Sequence, residues 1–503
     1  MRSHPCSGSA RPSTSLATML PDSFTDPLNI VFIALSVSGQ LNVHLATIEH
    51  MLSMGPADSP PLHIHLLSFD PAEKHARSLS ASHQSTRHRL SFHSLGELLL
   101  FTEISHNGLI DRHGPASLTR RGGLKSYRFL AELFGFNPTC YVDVYERVLG
   151  IFSLIKPKIH IAAIDLCMPI GMDACMAANV PWGILCPNSG LELSKFDQPM
   201  LKGFWKFPAP YSGISFPVPL HLIPYNIALN IAFLHTLQTH PRIRQLEARR
   251  AKAGIRGKLL DKPLHALPFL ICASVPALEY PHVPGRNVVY AGPLLVPPPP
   301  LAGGALADFL ARSRTLVVNL GSNFWYTDDD VRAVADAIVL ARARTVRFQV
   351  LWKLNGKKAF EGLLEERLGK ELLEDVRTEE WIEPPALAVL QHPNVVALVN
   401  HGGANSVHEA AYAGVPQIIL PQWLDLYDYA VRVEWLGHGI HANKGHAAKI
   451  HAPQLADAFV RVLSDGEGMA MKKKALEIAE ACRQGGGVAK VAETLISAGY
   501  NAS

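Results

Sequence analysis

The stretch from residue 394 to residue 425 constrains the fold of this chain more strongly than any other. Residues 394–400 form a short apolar run, typical of a buried parallel strand, and a His-Gly-Gly turn follows at residues 401–403. Residues 404–413 predict a helix, because a glycine and a proline just beyond them are helix-end signals. Residues 417–420 predict a second buried strand. The stretch therefore predicts a strand–helix–strand unit of an α/β fold.

Polar side chains cluster at the amino end of that predicted helix. In parallel sheets ligands bind at the carboxyl ends of the strands, where the free N–H groups of a first helical turn form an anion site. His401, Asn405 and Ser406 add donors for a phosphate. Glu409, one turn further along, suits two neighbouring ribose hydroxyls. The spacing predicts a nucleotide site with the phosphates at the helix end and the ribose behind them.

These residues resemble the signature of the UDP-glycosyltransferases, in particular the fungal small-molecule branch of that family. The matching positions, in chain order, are His401, Gly403, Asn405, Ser406, Glu409, Gly414, Pro416 and Asp425. The resemblance implies that His401, Asn405 and Ser406 hold a diphosphate. It also implies that Glu409 holds the ribose and that Asp425 binds hydroxyl groups of the transferred sugar.

Two further donor contacts follow from the same resemblance. Ser322 lies in a turn that looks like the phosphate turn at the start of the family's second domain. Trp381 looks like the tryptophan that stacks on uracil, although the glutamine of that element is absent, and ordinary packing is the alternative. The family usually has Gln after the sugar-binding acid, whereas Leu426 stands here and Asp428 is the nearest replacement. The transferred sugar is therefore the least constrained part of the donor.

The resemblance spans nearly the whole chain and implies the GT-B architecture, in which two Rossmann-like α/β domains face a cleft. It assigns residues 27–275 to an acceptor-binding domain and residues 314–484 to a UDP-sugar-binding domain. Residues 276–313 are expected to form a linker, which contains four consecutive prolines. Residues 485–503 are expected to carry a last helix that returns to the first domain. Residues 1–26, rich in Ser, Thr and Pro, are expected to be a disordered tail.

Composition narrows the class of protein further. The chain has 503 residues, 48% hydrophobic and 18% charged, so it is expected to be globular. A net charge of +4 without an aromatic-interleaved basic stripe argues against a nucleic-acid partner. Seven cysteines without paired spacing favour reduced thiols and a cytoplasmic protein. The nearest approach to a membrane-spanning run, residues 218–237, is interrupted by Pro, His and Asn, so no transmembrane segment is expected. The oligomeric state is left open.

An acidic run at residues 328–330 raises the question of a metal, because some glycosyltransferases use an Asp-x-Asp motif with manganese. Thr327, followed three residues later by Asp330, instead fits a capping box at the start of a helix over residues 331–343. No Cys/His cluster reads as a zinc site. The sequence therefore predicts neither a metal nor a cofactor, and the UDP-sugar is a co-substrate.

The resemblance implies inverting transfer of a hexose from a UDP-sugar, with UDP-glucose the first expectation, to a hydroxyl of a small apolar or phenolic acceptor such as a secondary metabolite. Residues 202–224, rich in Pro, Gly and aromatic side chains, suit either the lining of an apolar acceptor site or an ordinary packed loop. Transfer also requires that the acceptor hydroxyl lose its proton.

The group that would take this proton is uncertain. The family's histidine after the first strand is replaced by Gln40, an amide that is no base, while Asp165 matches the aspartate that orients that histidine. His44, one helical turn on, is displaced by about 5–6 Å. Alternatively, Asp165 acts directly, or the acceptor is acidic enough to need little help. A third possibility is a non-catalytic UDP-sugar-binding scaffold. A two-domain epimerase fits less well, because of Asp425 and the long first domain.

Overall fold

The computed structural model describes residues 27–83, 87–97, 112–119, 123–135 and 137–501, so the tail expected over residues 1–26 lies outside the described residues. In the described part, the chain forms two parallel sheets that are covered by helices. The predicted α/β class is therefore confirmed.

The first sheet has seven strands in the order β3-β2-β1-β4-β5-β6-β7, and every neighbouring pair is parallel. The strands are β1 Leu28–Ile33, β2 Leu62–Ser68, β3 Arg89–Ser94, β4 Ile161–Ile164, β5 Trp182–Cys186, β6 Leu270–Cys272 and β7 Val288–Tyr290. The order reverses between β1 and β4, which opens a crevice beyond the carboxyl ends of these two strands.

The second sheet has six parallel strands in the order β10-β9-β8-β11-β12-β13. The strands are β8 Thr315–Asn319, β9 Gln349–Lys353, β10 Val376–Glu379, β11 Val395–Asn400, β12 Gln417–Ile419 and β13 Gly439–His441. Its order reverses between β8 and β11, so the turns after these two strands lie side by side at the crevice of this sheet.

Helices connect the strands in both domains. In the first domain they are Ser38–Ser53, Glu73–Ser82, Lys125–Phe134, Pro138–Leu154, Pro169–Ala178, Gly190–Ser194, Lys202–Trp205, Ile223–Thr239 and Pro241–Lys252. In the second domain they are Ala305–Arg312, Asp328–Arg342, Lys357–Leu373, Ala386–Leu390, Ala404–Ala413, Leu426–Leu436, Ala452–Leu463 and Glu467–Gln484. The chain ends with the helix Gly487–Asn501.

Strand β1 shows why the strands of this chain read as continuous apolar runs. Ile30 and Phe32 point into one hydrophobic cluster, whereas Val31 and Ile33 point into another on the opposite face of the sheet. All four side chains are fully buried. Burial on both faces favours uninterrupted Val, Ile, Leu and Phe over alternation with polar residues.

The last helix, Gly487–Asn501, packs on the first domain although it ends the chain. Val491 and Leu495 share one hydrophobic cluster with Leu28 of β1 and Ile161 of β4. The close approach is possible because residue 499 is a glycine, and a Cβ there would lie 3.3 Å from the Leu28 side chain.

The linker is shorter than the predicted range of residues 276–313. Strand β7 pairs with β6 and therefore extends the first sheet to Tyr290. The helix Ala305–Arg312 belongs to the second domain, because Phe309 and Leu310 pack with Val317 of β8. Residues 291–304, with the four prolines, are the part of this range without helix or strand that joins the domains. The prediction was too long because a three-residue edge strand leaves little periodic signal.

Candidate active site

A large cleft lies between the two domains, where the carboxyl ends of both sheets meet. Its cavity has a volume of about 860 Å³, which lies within the range of sites for small molecules. Its walls combine residues that follow β1, β4 and β5 with residues that follow β8, β10, β11 and β12. The polar residues predicted from the second domain and the aromatic residues of the first domain thus face one common space.

The helix Ala404–Ala413 forms as predicted, and its amino end opens into the cleft. The residue before it is Gly403, which has no side chain to cap the first turn, and Gly414 ends it with a left-handed φ of +66°. The free N–H groups of the first turn therefore remain available to a ligand at the positive end of the helix dipole. An anion is the ligand that this geometry favours.

His401 is held in a narrow slot between two glycines. A Cβ at Gly321 would lie 2.7 Å from Cε1 of the His401 ring, and a Cβ at Gly403 would lie 2.6 Å from the same atom. The ring of Trp423 approaches it edge-on, with 6.1 Å between the ring centroids. Burial, with the nearby Lys353 ammonium as the second cause, lowers the pKa of His401 to about 4. The imidazole is therefore neutral near pH 7 and can donate one N–H to a phosphate.

The other predicted residues of this helix also line the cleft, but Asn405 has a partner of its own. Its Nδ2 donates a hydrogen bond across the cleft to the carbonyl oxygen of Ser38, at 3.1 Å. Ser406 and Glu409 line the cavity, and no hydrogen bond to the Glu409 carboxylate is seen among the described residues. Burial raises the pKa of Glu409 to about 7. The diphosphate role of Asn405 remains a prediction, because its amide here bridges the two domains.

The turn after β8 and the tryptophan predicted to hold uracil lie on the same wall. Ser322 is exposed in the cleft, and Trp381 has a largely exposed ring that lines it. The sequence reasoning missed Lys353, whose Nζ lies 4.0 Å from the centroid of the Trp381 ring and donates to the carbonyl oxygen of Gly321. Burial lowers the pKa of Lys353 to about 8. A mostly protonated amine thus adjoins the predicted phosphate turn.

Asp425 also lines the cleft, at the start of the helix Leu426–Leu436. Burial raises its pKa to about 7. The residue before it, Leu424, has a φ of +45°, in a region that branched side chains rarely adopt. The side chain of Leu426 is buried, so it does not supply the missing sugar contact. Asp428 lines the cleft, but both of its carboxylate oxygens accept from the backbone N–H of Tyr211 at 3.0 Å.

Gln40 and His44 lie one turn apart on the same helix, but their surroundings differ. Gln40 lines the cleft, and its Oε1 has no hydrogen-bond partner among the described residues. His44 is fully buried and packs edge-on against Phe32. Burial lowers its pKa to about 3. Because its ring packs on the sheet and does not line the cleft, the structure does not support His44 as the group that takes the acceptor's proton.

Asp165 is fully buried and is not among the described residues that line the cleft. Its carboxylate accepts hydrogen bonds from the backbone N–H groups of Leu35, at 3.2 Å, and Cys167, at 2.9 Å. Both of these residues do line the cleft. Asp165 therefore joins the loops that follow β1 and β4, and the structure does not support direct proton transfer to it.

The acceptor side of the cleft is predominantly aromatic and aliphatic. The described residues that form this part of the wall include Phe129, Leu130, Leu133, Phe134, Leu191, Phe196, Phe207, Tyr211, Ile214, Phe233, Leu237 and Tyr280. Several of them come from the segment 202–224, so part of this segment lines the cavity. These aromatic and aliphatic side chains favour an apolar acceptor, because most of them offer no hydrogen-bonding group.

Sequence reasoning also missed three charged residues in this wall. Glu192 lies 3.8 Å from the guanidinium of Arg432, and its carboxylate accepts from Nδ2 of Asn188 at 2.8 Å. The Nζ of Lys195 donates to Oδ1 of Asn230 at 3.0 Å. Glu192 and Lys195 follow β5, so the rule that ligands bind beyond the carboxyl ends of strands could have pointed to them.

The acidic run after β8 forms the helix cap that the sequence predicts. The hydroxyl of Thr327 and the carboxylate of Asp330 satisfy each other's backbone N–H groups in a capping box. Arg112 of the first domain adds an ion pair with Asp330, at 2.6 Å. Among the described residues, no group of three or more His, Cys, Asp or Glu side chains is arranged to hold a metal ion.

The fold and the cleft define a GT-B glycosyltransferase, and solved structures share this architecture. The UDP-glucosyltransferase from Polygonum tinctorium that glucosylates indoxyl matches with a TM-score of 0.63 at 18% identity, over 95% of this chain and 100% of that one. A UDP-glucose: anthocyanidin 3-O-glucosyltransferase in complex with UDP matches with a TM-score of 0.61 at 16% identity, over the same shares.

The chain belongs to the UDP-glycosyltransferase family. A family model described as UDP-glucoronosyl and UDP-glucosyl transferase matches residues 228–478. The glycosyltransferase sdnJ of Sordaria araneosa is 30% identical over 92% of this chain and 96% of its own length. The 2-hydroxyacylsphingosine 1-beta-galactosyltransferase of Mus musculus is 29% identical over 42% of this chain and 36% of its own length. The predicted family and the predicted GT-B architecture are thus confirmed, and the chain is a glycosyltransferase that uses a UDP-sugar.

Proposed function

We propose that the chain transfers glucose, or a closely similar hexose, from UDP-glucose to a hydroxyl of a small apolar or phenolic acceptor, with inversion at the anomeric carbon. The observation that carries this proposal is the arrangement of the cleft, in which an uncapped helix end with His401 and Glu409 faces an aromatic wall. The matched relatives are consistent with such acceptors, since their names include an anthocyanidin and an indoxyl glucosyltransferase. A secondary metabolite is the corresponding class of acceptor.

The leaving diphosphate would be stabilised by fixed positive groups on the second domain. The first-turn N–H groups of the helix Ala404–Ala413 supply partial positive charge, and His401 supplies a neutral donor. Lys353 supplies a full charge beside the turn that carries Ser322. These groups would stabilise the negative charge that develops on the leaving oxygen. The proposal therefore includes neither a metal nor another cofactor.

The missing histidine makes the acidity of the acceptor decisive in this proposal. Gln40 occupies the position from which the family's base would act, and neither His44 nor Asp165 lines the cleft. An amide can hold the acceptor hydroxyl by a hydrogen bond but cannot remove its proton near neutral pH. A phenol, which ionises far more readily than an aliphatic alcohol, reduces this need. We therefore assign phenolic hydroxyls as the preferred acceptors.

The proposal is tested by measuring UDP release from UDP-glucose with a series of substituted phenols and with aliphatic alcohols. The rate is expected to rise as the acceptor becomes more acidic. Gln40→His should introduce a base at the cleft and accelerate the least acidic acceptors most, by at least about tenfold, since general-base catalysis typically contributes more than this. Gln40→Asn, which keeps an amide, is the matched control and should gain nothing.

Equal rates for phenols and aliphatic alcohols in the wild-type protein would refute this assignment, because they would require an unrecognised base. A second candidate function is a non-catalytic protein that binds a UDP-sugar, and Gln40 is the observation that favours it. That function predicts no turnover by the wild type with any acceptor, together with turnover by Gln40→His and ordinary UDP-glucose binding by both.

We also propose that the protein acts in the cytoplasm. The six cysteines of the described residues are all free, at positions 140, 167, 175, 186, 272 and 482. Reduced thiols in a chain of this size are typical of a reducing compartment. Location of a tagged full-length chain by microscopy, with fractionation, would test this assignment.

A further inference from the structure

The helix Ile223–Thr239 has its amides inside and much of its apolar surface outside. Asn226 and Asn230 are fully buried and bind main-chain atoms of the loop 204–209, while Asn230 also accepts from Lys195. A surface helix of a water-soluble domain normally has the opposite arrangement. The buried amides fix this helix to its domain and leave an apolar side without a partner among the described residues.

The outward side of this helix is a continuous apolar stripe. Its members recur every three or four residues and therefore lie on one side: Leu220, Pro224, Ile227, Ile231 and Leu234. Leu220 is 85% exposed and Ile231 is 57% exposed. By length and composition alone, residues Leu220–Thr239 are apolar enough to cross a membrane, yet only 17% of the most apolar window is buried inside the protein. Since its amides are bound to the domain, we treat this helix as a surface element.

A second group of exposed apolar side chains lies in a strained turn of the same domain. The helix Lys202–Trp205 packs against the helix Ile223–Thr239. Met200 and Leu201, just before it, are 73% and 68% exposed. Their φ angles are +56° and +55°, a left-handed conformation that is costly for such side chains. Backbone strain that keeps two apolar side chains in water points to a use for them.

The sequence around these elements is strongly basic. Residues 196–252 contain seven Lys or Arg residues and two acidic residues, whereas the whole chain has a net charge of only +4. The helix Pro241–Lys252, which directly follows the apolar helix, exposes Arg242, Arg244, Arg249 and Lys252. Apolar side chains flanked by Lys and Arg are the combination that binds the surface of an anionic bilayer.

We propose that Met200, Leu201, Leu220 and Ile231, hereafter the apolar face, dock on the surface of a bilayer that contains anionic lipids. The inner side of the same helix contributes Phe233 and Leu237 to the cleft, so one helix joins the apolar face to the acceptor wall. An apolar acceptor dissolved in the bilayer would then enter the cleft with little exposure to water. This benefit rests on the proposed function, whereas the docking itself does not.

Vesicle co-sedimentation of the full-length protein tests the proposal without donor or acceptor. Binding is expected to vesicles of phosphatidylcholine mixed with phosphatidylserine, to be weaker for phosphatidylcholine alone, and to decrease with salt. The double variant Leu220→Gln/Ile231→Gln should lose at least about tenfold in affinity, because two apolar side chains no longer leave water. Val346→Gln/Met469→Gln is the matched control, with residues 60% and 66% exposed on the second domain, and should bind as the wild type does.

Three results would overturn the proposal. The first is no binding to any vesicle, or binding that ignores phosphatidylserine. The second is an equal loss in both double variants. The third is a dimer in light scattering that Leu220→Gln/Ile231→Gln dissociates, which would assign the apolar face to a second copy of the chain. UDP release with a water-soluble phenol, measured on both variants, should match the wild type and so separates a failure of docking from a failure of catalysis.

Discussion

Glu409 has an unusual protonation state for a carboxylate near a nucleotide site. Burial raises its pKa to about 7, so the ligand-free protein holds it partly protonated at neutral pH. In the ionised form both carboxylate oxygens accept hydrogen bonds, so two ribose hydroxyls can donate to them. In the protonated form one oxygen carries a proton and accepts less well. Binding of a nucleotide should therefore drive Glu409 to ionise and release a proton.

The affinity for UDP-glucose is accordingly expected to rise with pH toward about 7 and to level off above it. The bound state favours the ionised carboxylate and lowers its pKa, so below the free pKa the affinity falls by up to about tenfold per pH unit. Calorimetry from about pH 6 to about pH 8 measures this slope, and UDP-glucose suits it because its diphosphate diester has no proton that titrates near neutrality.

Glu409→Gln is the comparison that assigns this slope to the ribose contact. It should bind more weakly at high pH and show a shallower dependence. The dependence should not disappear, because Asp425 also has a pKa of about 7. An unchanged slope in Glu409→Gln would show that Glu409 does not meet the ribose.

At the scale of single elements, the sequence contains local signals for the bounds of a helix and for which of its side chains are buried. The helix Ala404–Ala413 was predicted with its observed bounds, because glycines at both ends mark them in the sequence itself. The burial of His44 could also have been predicted from the sequence. Leu41, His44, Ile48 and Met51 recur every three or four residues and are all buried, so the pattern places His44 on the side that faces the sheet.

Other features of the site depend on elements that are distant in sequence and meet only in the fold. The slot for His401 requires the turn with Gly321, and the position of Lys353 beside Trp381 requires β9 and β10 to be neighbours. The sequence shows a glycine and a lysine at these places, but not what they contact. A pattern along the chain therefore predicted the helix and its ligand class, while the close approaches required the sheet order.

The slot predicts that Gly403→Ala weakens donor binding through the His401 ring and does not strain the backbone. The φ and ψ of Gly403, −64° and 138°, suit any residue, so the cost comes from the Cβ that would displace the His401 ring. UDP-glucose affinity should fall by at least about tenfold, while the free energy of unfolding should fall by about 1–3 kcal/mol, as for other overpacked sites.

Gly362→Ala is the control for this variant. It lies in the helix Lys357–Leu373, where an added Cβ has nothing within 4 Å. The substitution should leave donor affinity unchanged and raise the free energy of unfolding by up to about 1 kcal/mol. Calorimetry and urea unfolding give both quantities. Unchanged donor affinity in Gly403→Ala would show that the His401 ring has no part in donor binding.

At the scale of the whole molecule, apolar packing, charged pairs and hydrogen bonds hold the two domains around the cleft. Arg112 pairs with Asp330 at 2.6 Å, and Arg432 pairs with Glu279 at 3.5 Å. Further hydrogen bonds run between side chains of the second domain and main-chain atoms of the first, such as that from the Tyr427 hydroxyl to the carbonyl oxygen of residue 113 at 2.6 Å. Val275 and Leu278 of the first domain also pack with Ala411, Ile478 and Cys482 of the second, so the charged pairs are one part of the contact between the domains.

Arg112→Met is expected to lower the free energy of unfolding by about 1–3 kcal/mol, because it leaves the buried Asp330 carboxylate without its charged partner. Urea unfolding measures the loss. Arg344→Met is the control, since its pair with Asp457 is about half exposed and should contribute less than about 1 kcal/mol. An equal effect of the two substitutions would contradict a special role of the Arg112 pair.

Because main-chain atoms form several of the hydrogen bonds across the cleft, we expect that the first domain can be exchanged for that of a homologue. The carbonyl oxygen of Ser38 and the N–H of Tyr211 would be present in any homologue with the same backbone, whatever its side chains. A chimera joined within residues 291–304 would therefore keep these bonds, whereas the charged pairs of Arg112 and Arg432 and the apolar contacts between the domains would depend on the new side chains. Residues 487–501 of the chimera must also come from the protein that supplies the first domain, because that last helix packs against β1. Engineering a new acceptor specificity by domain exchange therefore needs two junctions in the chain rather than one.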